Sequence, residues 1–377
     1  MTLWVAVSND KSAMPTCNRL NAICPYFTMF PLEFPLSILR SYASPGEWVL
    51  DPFCGRGTTV FAARLCGLPA VGIDSYPVAA AIAQAKLLDV SPQAIVDELL
   101  AILKSAPPPD SVPEGNFWEL AFHPDVLFEL CRLREELLRK CTTPERQALR
   151  AVILGALHGP RAKCRPTYLS NQAPRTYAPK PAYAVRFWRA RDLQPERVDL
   201  VDIVATRAQR YFASALPPAR GWIIEGDSRD PATFAQLSGI RFKWIVTSPP
   251  YYGMRTYRPD QWLRLWFLGG PAWPDYSQNG QISHSSAETF ARDLRRVWSL
   301  VASVADTNAR MIIRFGRIHD RRVDPLHLLE RSLANTGWEI EAIRSAGSAA
   351  RGKRQAMHFT TTRDPLEEHD VWVRLRL

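Results

Sequence analysis

The chain has 377 residues, 46% of them apolar, enough to bury a large core in one domain with an insertion or in two domains. Its formal net charge is +10 and its pI about 9.4, a balance that points to a polyanionic partner. Seven scattered cysteines without a Cys-x-x-Cys pair argue against a zinc site or a disulfide framework, so no metal is expected and a reduced, cytoplasmic protein is. The opening MTLWVAVSNDKSAMPTCNRL lacks the pattern of a secretory signal, and no apolar run reaches the length of a membrane span, so a soluble chain is expected.

In chain order, residues 36–44 (LSILRSYAS) read as a helix stopped by Gly46. Trp48-Val49-Leu50 is a short buried strand that ends at Asp51, followed by a glycine turn and a helix over Val60–Leu65. A second strand, Pro69–Ile73, ends at Asp74. Strand, glycine turn, helix, strand and acid together open a doubly wound α/β sheet.

After residue 90 the pattern changes. Ser91 and Pro92 predict an N-cap and first helical position, with Ile95, Val96, Leu99, Leu100 and Leu103 at helical spacing. Pro107–Pro109 and Pro113 mark a stiff linker. Val126, Leu127, Leu130, Leu133, Leu137 and Leu138 line a second amphipathic helix, and a third runs from about Pro144 to Leu157. Residues 159–197 read as a break in the helical pattern. Strand signals return at 222–224, 243–246, 311–313, 338–344 and 371–377, with a helix near 287–304. Three parts result: 1–90, an insertion over 91–220, and 221–377.

Two strings carry chemistry. The first is Asp51-Pro52-Phe53-Cys54-Gly55-Arg56-Gly57-Thr58-Thr59, at the carboxyl end of a strand where open α/β sheets bind ligands. Asp74, at the end of the next strand, can accept both hydroxyls of a ribose. A dinucleotide fingerprint would need a third glycine, but that position is Phe61. The second string is Val246-Thr247-Ser248-Pro249-Pro250-Tyr251. An exocyclic amino group is a poor nucleophile because its lone pair is delocalised. The Ser248 hydroxyl and Pro249 carbonyl offer acceptors for its hydrogens, two prolines stiffen the turn, and Tyr251 offers a face on which an extruded base can stack. The Ser248 hydroxyl could also donate to a ring nitrogen.

The first string resembles the Asp-Pro-Phe-x-Gly-x-Gly-Thr-Thr motif of the amino-methylating DNA methyltransferases, and the second the Ser-Pro-Pro-Tyr motif typical of their N4-cytosine members. The resemblance covers roughly 24–90 and 220–377. It implies a Rossmann-like seven-stranded S-adenosylmethionine-dependent methyltransferase fold with a mostly helical insertion. By the same resemblance Asp51, Phe53, Cys54, Gly55, Gly57, Thr58 and Thr59 form the cofactor turn. Asp74 and Ser75 sit at the ribose, Asp227 and Ser228 near the adenine, and Phe30 and Pro31 close over the methionine end; Ser248, Pro249, Pro250 and Tyr251 are catalytic. The cofactor string precedes the catalytic one, the reverse of many N4-cytosine enzymes with this motif. Carbon-5 methylation is disfavoured, because no cysteine follows a proline to serve as its thiolate.

The expected partner is DNA, as a duplex with a flipped target base; a cognate restriction enzyme and the oligomeric state stay open. Between Arg161 and Arg197, nine Lys or Arg residues against Asp192 and Glu196 supply +7. Arg161, Lys163, Arg165, Arg175, Lys180, Arg186, Arg189 and Arg191 alternate there with Tyr168, Tyr177, Tyr183, Phe187 and Trp188, beside Asn171 and Gln172, as residues that contact phosphates and bases, with about half of the aromatics expected in the core. Arg255, Tyr257, Arg258, Gln261 and Trp262 form a second candidate surface. The rival readings are N6-adenine methylation, guanine-N2 methylation in RNA, and a nucleic-acid-binding protein on a degenerate fold. Intact Asp51, Gly55, Gly57, Asp74, Ser248 and Tyr251 weigh against the last.

Overall fold

The computed structural model describes residues 16–25, 30–159, 167–173, 180–253, 258–276, 282–316, 323–348 and 367–376. Seven strands form one sheet: β1 (Trp48–Asp51), β2 (Ala70–Asp74), β3 (Gly221–Glu225), β4 (Phe242–Thr247), β5 (Ala305–Gly316), β6 (Trp338–Ser348) and β7 (Glu367–Leu375). Their order is β3-β2-β1-β4-β5-β7-β6. The first five are parallel, and β7 runs antiparallel between β5 and β6. The order reverses between β1 and β4, which places a ligand crevice beyond their carboxyl ends. This is the Rossmann-like methyltransferase sheet expected from the strand and acid pattern.

Successive strand residues face opposite sides and are apolar on both. Val49, Ala70, Val246 and Ile312 enter one core with Val60 and Phe61, while Leu50, Val71, Ile245 and Ile313 enter the other with Phe290, Leu294 and Trp298. On the first side lie α1 (Glu33–Tyr42), α2 (Thr58–Leu65) and α3 (Pro77–Ala85). On the second lie α10 (Pro231–Ala235), α12 (Ala287–Val304) and α13 (Pro325–Leu333).

Six helices separate α3 from β3: α4 (Pro92–Ser105), α5 (Asn116–Ala121), α6 (Pro124–Arg139), α7 (Pro144–Ala156), α8 (Pro181–Arg189) and α9 (Leu200–Phe212). The Ser91 hydroxyl accepts from Ala94 N at 3.1 Å with Pro92 at the first helical position, as its sequence predicts. Their buried residues join the first core, and α7 packs on α3, α4 and α9. The reading of 159–197 as non-helical needs correcting, because α8 lies inside it. Pro181 opens α8 where a missing N–H costs nothing, and Ala184 and Trp188 form its buried face. Helix α11 (Trp262–Phe267) completes this side and is buried throughout. Among the described residues no helix is long and apolar enough to cross a membrane.

Two buried hydroxyls tie β4 to β1 and to α2 at the reversal. Thr247 Oγ1 donates to Asp51 Oδ1 at 2.6 Å, and Thr59 Oγ1 donates to the Val246 carbonyl at 3.0 Å. Asp51 is fully buried and its Oδ2 has no partner. Burial pushes its carboxyl up to about 6, against hydrogen bonds that pull it down. A raised carboxylate lowers stability as pH rises, since the unfolded group ionises near 3.9 and the folded one only near 6. Urea unfolding should therefore show the Asp51→Asn protein losing roughly 2–3 kcal/mol less stability than the parent between about pH 4 and pH 7. An equal loss in both would mean that Asp51 is not the group responsible.

Candidate cofactor and active site

The glycine turn between β1 and α2 is shaped by its neighbours on both sides. Gly55 and Gly57 have φ of 50° and 77°, values that favour glycine. A Cβ on Gly57 would come within 2.8 Å of Ala83 Cβ, so the turn can lie against α3 only without one. A Cβ on Gly55 would meet nothing within 4 Å, which leaves open space above the turn. Asp74 closes the loop from β2: its Oδ2 accepts Gly55 N at 2.8 Å and its Oδ1 accepts Tyr76 N at 2.9 Å. Burial raises the Asp74 carboxyl to about 6, with those two N–H bonds opposing. Each oxygen keeps a second lone pair.

Glu225 stands opposite Asp74 in the β2–β3 register, so two carboxylates share this rim. The sequence pattern singles out Asp227 instead, although the last residue of β3 is the one that parallels Asp74. Asp227 is held by Arg229, whose guanidinium makes bonds of 2.7–3.2 Å to both of its oxygens and also reaches Asp293. Ser228 is buried and donates to the Pro52 carbonyl at 2.5 Å, so its hydroxyl braces the turn. Cys54 is buried against Gly72, and Thr58 and Thr59 are buried at the start of α2. Phe53 packs edge-on to Trp298, with ring centroids 5.9 Å apart, while Ser75 is exposed. Upstream, half-buried Phe30 meets Phe34 edge-on at 5.3 Å; Pro31 is exposed.

The catalytic string leaves β4 beside this turn. Pro249 is buried, and Ser248, Pro250 and Tyr251 are partly so. Tyr251 packs edge-on to Phe315, with centroids 5.4 Å apart. Its hydroxyl donates to Glu368 Oε1 at 2.7 Å. Burial, and then the Glu368 carboxylate, hold the Tyr251 proton on well above the ordinary phenol range. A carboxylate cannot donate, so the Tyr251 hydrogen belongs to Glu368. Just beyond, His284 Nδ1 accepts Gly253 N at 3.0 Å.

The basic segment is less uniform than its composition. Lys180, Tyr183, Arg186, Arg189 and Arg191 are exposed on and around α8, and Arg191 covers the Phe187 ring at 4.1 Å. Trp188, Gln261 and Trp262 are interior, and Asn171 donates to the Leu120 and Leu193 carbonyls. Phe117 bridges Trp188 and Trp262, at 5.7 and 4.9 Å, fixing α8 beside the segment that follows the catalytic string. Arg161, Lys163, Arg165, Arg175, Tyr177, Arg255 and Tyr257, and the side chain of Arg258, lie outside the described residues.

Residues 3–85 match a family model described as DNA methylase. A segment of 45 residues is 40% identical to a type II methyltransferase, M.MthZI, of Methanothermobacter thermautotrophicus; it takes in 12% of this chain and 13% of that protein. Solved structures overlay more loosely. The rRNA methyltransferase aviRa of Streptomyces viridochromogenes is 13% identical with a TM-score of 0.38, over 98% of this chain and 96% of its own. TrmN of Thermus thermophilus is 10% identical with a TM-score of 0.38, over 97% and 55%. The magnesium protoporphyrin IX methyltransferase of Synechocystis, solved with bound S-adenosylmethionine, is 11% identical with a TM-score of 0.34, over 97% and 100%. The two sequence matches, each to a small part of the chain, point to DNA methylases, and the seven-stranded sheet is the Rossmann-like one expected of a methyltransferase.

Proposed function

We propose that this chain is a DNA methyltransferase that transfers the methyl group of S-adenosylmethionine to the N4 amino group of a cytosine flipped out of the duplex. The observation that carries this reading is the Ser248–Tyr251 turn, whose strand is hydrogen-bonded through Thr247 and Val246 to Asp51 and Thr59 of the cofactor string. The residues fit the cofactor: Gly55 leaves open space, and Asp74 and Glu225 give the rim acceptors for ribose hydroxyls and negative charge for a sulfonium. When bound, S-adenosylmethionine supplies a methyl group activated by that sulfonium.

Asp74 would accept the ribose hydroxyls, while Gly55, Gly57, Phe53 and Thr58 would flank the methionine. Ser248 Oγ and the Pro249 carbonyl take the amino hydrogens, which lets the nitrogen pyramidalise and recover its lone pair. Tyr251 supports the extruded base. The exposed cations Lys180, Arg186 and Arg189 hold phosphates, and Tyr183 gives a flat surface among them.

Asp74→Ala should weaken S-adenosylmethionine binding by about 1.5–3 kcal/mol, and calorimetry showing unchanged affinity in the folded variant would remove that role. Digested DNA, after incubation with the protein and labelled cofactor, should yield N4-methylcytosine by mass spectrometry. N6-methyladenine alone would refute the base, and label in guanine of RNA the polymer. Arg186→Ala with Arg189→Ala should weaken duplex binding and flatten its salt dependence, by about 0.9 in slope for each phosphate no longer neutralised. A slope equal to the parent's would move the DNA surface elsewhere.

A further inference from the structure

The catalytic string is stiff where it leaves β4 and pliant where it ends. Thr247 bonds to Asp51, and Pro249 and Pro250 fix their own φ angles. Gly253 has φ of 87°, a value that favours glycine, so residue type alone holds nothing at the exit. The restraint there comes from 31 residues further along the chain, where His284 Nδ1 accepts Gly253 N at 3.0 Å.

The imidazole is seated by other rings. It lies 6.3 Å from the Tyr252 ring and 5.4 Å from that of Phe290 in α12, and those two meet edge-on at 5.4 Å. Phe290 stacks on Phe315 at 6.4 Å, and Phe315 packs edge-on to Tyr251 at 5.4 Å. A run of aromatic contacts therefore connects the His284 ring to the tyrosine of the catalytic string.

The direction of the Gly253 bond fixes the state of the ring. A backbone N–H only donates, so Nδ1 carries no hydrogen and the imidazole is neutral, with its proton on Nε2. In an imidazolium both nitrogens bear hydrogen, and two N–H groups would face each other across this gap. Histidine changes charge between about pH 5 and 8, and this half-buried ring is within reach of solvent protons. Among the described residues, the ionisable groups on the elements packed against it are Tyr251 and Tyr252 of the string, and Glu288, Arg292 and Asp293 early in α12. Asp293 accepts Ser283 N at 3.1 Å and Arg229 at 2.9 Å, so its charge is engaged beside the histidine.

We propose that His284 is a positioning residue for methyl transfer: its neutral imidazole latches the exit of the catalytic string, and protonation of Nδ1 by solvent undoes the latch. This rests on the amino-methyltransferase reading above. The latch is closed while Nδ1 is free of hydrogen, so methyl transfer slows as pH falls.

Two variants separate the bond from the packing. His284→Asn puts an acceptor oxygen the same number of bonds from the backbone as Nδ1 and does not titrate, while His284→Phe keeps a ring and loses the acceptor. With unmethylated genomic DNA and saturating labelled S-adenosylmethionine at about pH 8, His284→Asn should keep kcat within about threefold of the parent and His284→Phe should lower it about tenfold. On going to about pH 5.5, the parent should lose about fivefold more kcat than His284→Asn. Asp51 and Asp74, whose carboxyls burial raises to about 6, are present in both proteins, so that difference belongs to position 284. Calorimetric affinity for S-adenosylhomocysteine should match the parent's in both variants, which separates the effect from a disturbed cofactor turn. A parental kcat in His284→Phe, no recovery in His284→Asn, or a His284→Asn profile as steep as the parent's would overturn the latch and leave the methyltransferase reading intact. A parent protein that methylates no base amino group at any pH would overturn that reading and the latch with it.

Discussion

The cofactor turn and the catalytic turn belong to strands far apart in sequence, and their relative placement depends on one buried carboxylate. Asp51 at the end of β1 accepts the hydroxyl of Thr247, the residue that hands β4 over to Ser248. The same oxygen accepts Phe53 N at 3.1 Å, which starts the glycine turn. A charge without water is costly, and here one oxygen remains unpartnered. That cost keeps the carboxyl partly protonated near neutrality and ties the junction to a narrow geometry, as a methyl donor and its acceptor require.

Charge is divided between the two sides of the molecule. The rim of β2 and β3 gathers Asp74 and Glu225, while the helical side buries Arg56, Lys86, Arg207 and Arg264. These cations meet neutral oxygens: Arg56 reaches the Cys24 carbonyl, Lys86 the Asn21 side chain, and Arg264 the Pro25 and Leu154 carbonyls. They thereby fasten residues 21–25 to α2, to the end of α3 and to α11, just upstream of Phe30. Burial holds Lys86 well below its usual range, so that fastening relies on hydrogen bonding more than on full charge.

Much of the sheet was legible because its strands are short apolar runs stopped by acids, and both glycine and proline turns have chemistry that follows from residue type. Three kinds of feature were not. Helix α8 was hidden by prolines and cations, although Pro181 is well placed to start a helix. Residue type does not say which aromatics are core: Trp188 and Trp262 are, as expected for about half of the set, while Asn171, read as a base reader, braces two loops. Glu368 had no local signal, since only the antiparallel insertion of β7 beside β5 carries it to Tyr251.

Gly316 has an unremarkable backbone conformation, so its place depends on space alone. A Cβ there would stand 2.9 Å from the Glu367 carbonyl, 3.1 Å from Glu368 Cγ and 3.3 Å from Tyr251 Cε2. Any side chain would push apart the two residues that the phenol joins. In a lineage descended from this protein, position 316 is therefore held to glycine for as long as the 367–368 backbone and Tyr251 keep these places. A relative that kept Ser-Pro-Pro-Tyr but acquired a bulkier residue at this site would have had to find another resting place for its tyrosine.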